Sequence, residues 1–462
     1  MADQERVETN PQLRLIVISV FVVLIVAGIV LGTFFGTDTQ SGEIAAQPSA
    51  QIWSCPDLPQ GDGAGAEIGI ANATDAAMKA TVQFYPDEGD KPAPVETDVP
   101  ANGRIAVKAS DHTQVSSAAT VELPPGEAAV GVTITRSGAA KGIATYPCAA
   151  SASEHVYFAS GNTSRGNSQF LTIFNPGAQA AVLDATYVTS DGREEKVINV
   201  GAQTRVNLDL GSSEDILGRR DSVATILKAQ AGRVVATQTV LPGGGAAGFG
   251  VALGAPAGGS QAFFPGYASS EGSAAAVSAL NLSGVDDNVM TQFTPDAGKE
   301  SLPPTETDVG AYTAAALDLA PLVGAGAFGI HAIGDREFVA QLSGPVGQGV
   351  ADMIGVAEAA GDWLIPWQAA TSDGGRIWIQ NPGGEESTLQ FYALTSAGSD
   401  EPVPVGEAVN LPPLARSTVT VESLGLAEAS AGLLVRLSEP GVIAHVLVSG
   451  SDISLSPAIT SR

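Results

Sequence analysis

Few residues of this 462-residue chain have the types that carry chemistry: four histidines, two cysteines and some acidic turns. A site repeated along the chain would hold its histidines in one phase. His112, His155, His331 and His445 instead fall 40, 83, 50 and 64 residues after the nearest preceding copy of a recurring asparagine, described below. Each therefore reads as an isolated strand or surface histidine. No His-Glu-x-x-His, Gly-x-Ser-x-Gly or phosphate-loop signature is present. The glycine run from Gly243 to Gly250 lacks the Lys-Ser/Thr that a phosphate loop needs, and reads as a linker. Acidic turns at Asp87–Asp90, Gly211–Asp215 and Asp286–Asp287 offer the oxygens Ca²⁺ prefers. They lack the alternation of a calcium loop and read as solvated turn charge. The expectation is a non-enzyme with no catalytic residue, cofactor or metal, and a catalytic site built from distant residues is the remaining enzymatic reading.

Cys55 and Cys148 are the only cysteines. In an oxidising compartment an isolated pair is expected to form a disulfide, here closing a loop of 93 residues. The alternative is two buried free thiols. Two cysteines without accompanying histidines do not fill a tetrahedral metal shell.

The length exceeds one core and suits several domains of roughly 100–200 residues each. Charged residues make up only 15%, and they are one-sided, with 49 Asp+Glu against 22 Lys+Arg and a net charge of -27. Such a surface repels phosphate backbones, so no nucleic-acid partner is expected. Leu15–Phe35 carries no charge over 21 residues, enough for a helix to cross a bilayer core of about 30 Å. Arg6 and Arg14 precede it and no cation follows until Lys79. The positive-inside rule then predicts a single-pass plasma-membrane protein with residues 1–14 cytoplasmic, 36–50 a flexible tether and the rest extracellular. The alternative is a secretion signal that is later removed.

An internal repeat organises everything after the tether. Asn72, Asn175, Asn281 and Asn381 recur at intervals of 103, 106 and 100 residues. Each is followed seventeen positions later by glycine: Gly89, Gly192, Gly298 and Gly398. Apolar residues alternate before each Asn, as Ile68 and Ile70 or Ile377 and Ile379 do, which is the period of a strand with one buried face. The Asn then opens a turn, a second alternating strand follows, and the Gly closes the next turn. Two further hairpins complete each copy. About seven strands in roughly 100 residues predict an immunoglobulin-like antiparallel sandwich. The fold class expected is all-β: four tandem sandwiches at 51–150, 151–257, 258–358 and 359–462, after one transmembrane helix. A single β-assembly such as a four-bladed propeller is the runner-up, set aside because its blades need only about 40–50 residues. In a tandem array stability is expected to be largely local, so reduction of the disulfide would spare the third and fourth units.

The repeated phrase, as in FLTIFNPG from Phe170 to Gly177, resembles the Ig-like modules of bacterial surface proteins. With the aromatic segment before it, the N-terminal apolar run and the cysteine pair, it also resembles an actinobacterial membrane-anchored family of unknown function. That resemblance implies fold and location, and no catalytic residues. Trp378 lies three residues before Asn381, on the face opposite Ile377 and Ile379. It either packs against a neighbouring domain or offers a stacking face to a sugar. Trp363 and Trp367 bracket Pro366 and read as part of an opening strand. The function expected is a non-enzymatic structural or interaction protein of the bacterial cell envelope, partnered by an envelope protein or glycan. The alternative is a module that binds wall glycan or polysaccharide.

Overall fold

The computed structural model describes residues 50–460, apart from 62, 213–216, 244–247, 269–274, 323–325, 347–348, 372, 427–430 and 450–451. Alternation writes the strands. In Met78–Pro86, Met78, Ala80, Val82 and Phe84 turn inward while Lys79 faces out. Ala181, Leu183, Ala185 and Tyr187 do the same in Ala181–Thr189. The described chain is all-β, its only helical pieces being short 3₁₀ turns.

The first eight strands are β1 (Gln51–Leu58), β2 (Ala64–Asn72), β3 (Met78–Pro86), β4 (Val95–Val99), β5 (Gly103–Lys108), β6 (Ser117–Leu123), β7 (Ala128–Arg136) and β8 (Gly142–Pro147). They form two four-stranded antiparallel sheets, ordered β1-β6-β3-β4 and β5-β2-β7-β8. Trp53, Ile68, Ile70, Val82, Phe84, Val121 and Val132 are buried in the core they share. At about 1.5–3 kcal/mol per large buried side chain, this core dominates the stability of the sandwich.

The same order recurs. The second set is β9 (His155–Phe158), β10 (Ser168–Asn175), β11 (Ala181–Thr189), β12 (Gly192–Val200), β13 (Thr204–Asp209), β14 (Val223–Ala231), β15 (Val235–Leu241) and β16 (Gly250–Leu253). Its sheets run β9-β14-β11-β12 and β13-β10-β15-β16. The third comprises β17 (Gly259–Ala268), β18 (Ala276–Asn281), β19 (Asp287–Pro295), β20 (Thr305–Val309), β21 (Ala314–Asp318), β22 (Ala327–Val346) and β23 (Gly349–Ile354). The fourth comprises β24 (Ala360–Ile365), β25 (Gly375–Asn381), β26 (Ser387–Leu394), β27 (Val403–Leu411), β28 (Ala415–Thr420), β29 (Gly432–Ser449), β30 (Asp452–Pro457) and β31 (Ile459–Thr460). In these two sets the sixth and seventh strands run together. β22 pairs with β17 and β19 over its first half and with β18 and β23 over its second. Pro124-Pro125-Gly126 interrupts the same path in the first set, because proline has no amide for the ladder; the third set has Gly334–Glu337 there.

The four sets do not form an open string. Their closing strands β8, β16, β23 and β30 pack in a circle, each against the next, around one axis. β31 pairs with β24, and its Ile459 packs into the cores of both the first and the fourth sets. The chain ends of residues 50–460 thus meet, and the four sandwiches close into a ring. The copies join into one assembly, as in the propeller alternative, although each copy has two layers, separate sheets in the first two sets and joined through β22 and β29 in the others. What closes the ring is apolar surface on the outer sheet faces. Phe174 covers Tyr85 and Ala118; Leu280 and Val339 cover Val188 and Ala224; Ala71 and Ala129 cover Leu364, Leu394 and Leu434.

The expected single-pass, plasma-membrane localisation is corrected. Among the described residues no helix is long and apolar enough to cross a membrane. The apolar run 15–35, the tail 1–14 and most of the 36–50 tether lie outside the described residues. Hydropathy registers the length of an apolar run, and length is a property of the sequence alone.

Candidate functional site

The recurring asparagines end β2, β10, β18 and β25 and are fully buried. Each Nδ2 donates to the carbonyl four residues on, that of Ala76, Gln179, Val285 and Glu385, at 2.8, 2.7, 2.8 and 2.7 Å. Each Oδ1 accepts the amide two residues on, from Thr74, Gly177, Ser283 and Gly383. A third bond crosses to the carbonyl of Val99, Val200, Val309 or Leu411, the end of the fourth strand of each set. One side chain thereby ties the turn to the neighbouring sheet, which only a group with both donor and acceptor can do. Gly89, Gly192, Gly298 and Gly398 hold φ of 85°, 123°, 80° and 68°, where a side chain is strained. These eight residues shape turns and converge on no common point.

Cys55 and Cys148 form a disulfide with Cα atoms 4.7 Å apart. Cys55 lies in β1 and Cys148 directly after β8, so the bond joins the two sheets of the first set.

The polar chemistry gathers between the sets. Residue 104, 205, 314 or 416 pairs in register with the residue just before the recurring asparagine: Ala71, Phe174, Leu280 or Gln380. Three of the four are buried arginines reaching into the preceding sandwich. Arg104 Nε donates to the Pro366 carbonyl at 2.5 Å and its Nη2 pairs with Glu67 at 3.0 Å. Arg416 Nε donates to the Pro265 carbonyl at 3.2 Å and its Nη1 pairs with Asp296 at 2.9 Å. Arg205 bonds Asp57 at 2.9 Å and Asp87 at 2.6 and 2.8 Å. Burial works against its charge, but the two carboxylates outweigh it and hold the guanidinium pKa above its ordinary value. Asp87 is thus an ion-pair partner, where its acidic turn had suggested solvated charge. Sequence reasoning missed these clamps, although an arginine at one phase in three copies was the signal.

The interface between the second and third sandwiches has Ala314 instead of arginine. Its apolar filling differs too. At the fourth–third contact Trp378 fills the space over Gly266, where a Cβ would come within 2.4 Å of the indole. At the first–fourth contact Trp367 fills the space over Gly131, where a Cβ would come within 2.5 Å. At the third–second contact Ser278 occupies the Trp378 position and Ser160 the Gly266 position. Small residues on both sides leave a pocket of about 400 Å³, lined by residues of both sandwiches. A buried polar chain lies beside it. The Ser160 amide donates to Gln341 Oε1 at 3.0 Å, and Gln341 Nε2 donates to Asp352 Oδ1 at 2.5 Å. Gln238 Nε2 donates to the Ser160 carbonyl at 2.8 Å, and the Ser160 and Ser343 hydroxyls bond across the interface. Burial pushes the Asp352 carboxyl up to about 7, partly offset by the Gln341 amide.

The histidines stay apart. His445 is fully buried: Trp367 Nε1 donates to its Nδ1 at 2.6 Å and its Nε2 faces the Ala369 carbonyl at 2.7 Å. His331 stacks on Phe263 with ring centroids 4.1 Å apart. Burial lowers both to about 4. His112 stacks on Phe84 and His155 on Tyr157. Trp378 is only 4% exposed, wedged between the third and fourth sandwiches with the Arg416 guanidinium 5.8 Å from its ring. Its candidacy as a sugar-stacking residue is therefore corrected: the sequence showed that it points off its own sheet, and the neighbouring sandwich covers it. A wider cleft of about 900 Å³ lies between the first and second sandwiches. Its Tyr85 ring is covered by Lys91 and Phe174 and offers no stacking face.

No curated protein matches the chain. Among solved structures, Thermotoga maritima 1070 matches at 15% identity over 22% of this chain and 94% of that one, with a TM-score of 0.21. A tetra-tandem repeat from the extending region of a large adhesion protein matches at 10% identity over 90% and 100%, with a TM-score of 0.12. Likenesses this slight carry no argument about fold or function. Residues 106–362, more than half of the chain and spanning parts of the first and fourth sandwiches with all of the two between, match one family throughout. The chain accordingly belongs to the family of unknown function DUF5719.

Proposed function

We propose that residues 50–460 form a non-enzymatic structural or interaction protein, a rigid ring of four immunoglobulin-like sandwiches that presents a fixed surface to a partner. The ring closure supports this reading. The buried arginines bond backbone carbonyls and carboxylates of the preceding sandwich and so hold the ring together, while the buried histidines pack against aromatic rings of their own sandwiches. The alternative, wall-glycan stacking on Trp378, has lost its residue. Small-angle scattering of the full chain tests the scaffold: a compact body of this length has a radius of gyration of about 23 Å. A scattering curve of four beads in line would count against it, as would turnover of glycan, ester or peptide substrates by the purified protein.

A further inference from the structure

We propose that the pocket between the second and third sandwiches binds a small neutral polyhydroxylated ligand, of the class of a monosaccharide or cyclitol. The inference stands on the pocket itself and is independent of the scaffold reading.

The pocket exists because a space that tryptophan fills at two other interfaces is left open by Ser278 and Ser160. Its volume of about 400 Å³ lies in the range of small-molecule sites, roughly 300–1,000 Å³. Ser278 is 7% exposed and its hydroxyl bonds no group among the described residues. A hydroxyl that faces a pocket without a protein partner is open to hydrogen bonding by a ligand in place of water. The other polar lining is of the same kind: the hydroxyls of Ser168 and Ser222, the amide of Asn162 and the carboxylate of Asp221. Hydroxyls and amides both donate and accept, which matches a ligand whose own groups are hydroxyls. Val240 and Val350 give the wall an apolar part for the C–H face of such a ring. No lysine or arginine lines the pocket among the described residues, and the chain carries a net charge of -27. A phosphorylated or carboxylated ligand would meet the Asp221 charge with nothing to offset it.

The test uses the full chain and calorimetric titration with D-glucose, D-galactose, N-acetylglucosamine, myo-inositol and glucose 6-phosphate. The double variant Ser160→Gly with Ser278→Trp rebuilds the filling seen at Gly266 and Trp378, so it is expected to fold and to lose binding. Ser278→Ala keeps the space and removes one hydroxyl, and is expected to weaken binding about fivefold to tenfold. Saturable binding of a neutral probe that disappears in the filled variant, with glucose 6-phosphate at least about tenfold weaker, supports the assignment. No binding of any neutral probe up to about 50 mM overturns it. Binding that survives in the filled variant, or tighter binding of the phosphate, also overturns it. If the filled variant does not fold, unchanged affinity in Ser278→Ala overturns it.

Discussion

Asn281 shows how much one side chain can carry. Its Nδ2 donates to Val285 and Val309 while its Oδ1 accepts the Ser283 amide and hydroxyl. Alanine there leaves several buried backbone groups unpaired, at about 1–3 kcal/mol each, so Asn281→Ala is expected to lose about 3 kcal/mol or more in urea unfolding. Asp keeps the acceptor but not the donors, and should recover only part of the loss. Asp352 sets a pH dependence. Its folded value, about 7, lies above its ordinary 3.8. The folded protein therefore holds a proton that the unfolded chain has released, and the stability this gives is complete below 3.8 and lost as pH rises through about 7. His331 and His445 act in the opposite sense, since each is lowered from 6.5 to about 4 and its contribution is lost as pH falls through that window. Because the two histidines outweigh the one carboxyl between their folded and unfolded values, thermal unfolding should show the melting temperature of the native chain rising from about pH 4 to about pH 6.5, and the Asp352→Asn variant should steepen that rise.

Strands and their crosslinks set the next scale. β1 and β8 lie in different sheets of the first sandwich, and the 93-residue loop closed between them by Cys55–Cys148 removes about 4–5 kcal/mol of freedom from the unfolded chain. Reductant, or Cys55→Ser with Cys148→Ser, should lower the unfolding midpoint accordingly. β13 brings Arg205 to Asp57 of β1 and to Asp87. Removing the arginine leaves Asp57 buried without its cation, so Arg205→Met is expected to cost about 3–5 kcal/mol. Replacing exposed Lys79, paired with exposed Glu96, should leave the unfolding midpoint almost unchanged. Equal losses from Arg205→Met and Lys79→Met would show that the clamp does not hold the interface.

Over the whole molecule, closure replaces local stability with shared stability. In an open array the loss of the disulfide would spare the third and fourth sandwiches. In the ring β8 packs against β30, and Ile459 bridges the first and fourth cores. Reduction should therefore raise hydrogen exchange in β24 and β30 as well as in β1 and β8, and unfolding should stay a single transition. Exchange that rises only in the first sandwich would restore the local picture.

The sequence by itself determined the strands, the fourfold recurrence and the cysteine pair. Alternation has a period of two, a turn asparagine acts within a few residues, and glycine φ is a property of a single residue; each is local enough to be written in order along the chain. Tertiary structure alone decided what the outer sheet faces do. Trp378 reads identically whether it meets solvent or Gly266, and Arg104, Arg205 and Arg416 look like surface charges until the next sandwich arrives. Ser278 shows the same from the other side: a serine on an outward face becomes part of a pocket only because Ser160, 118 residues earlier, is small as well. Packing between distant faces depends on both partners at once, and no local pattern in either one records the other.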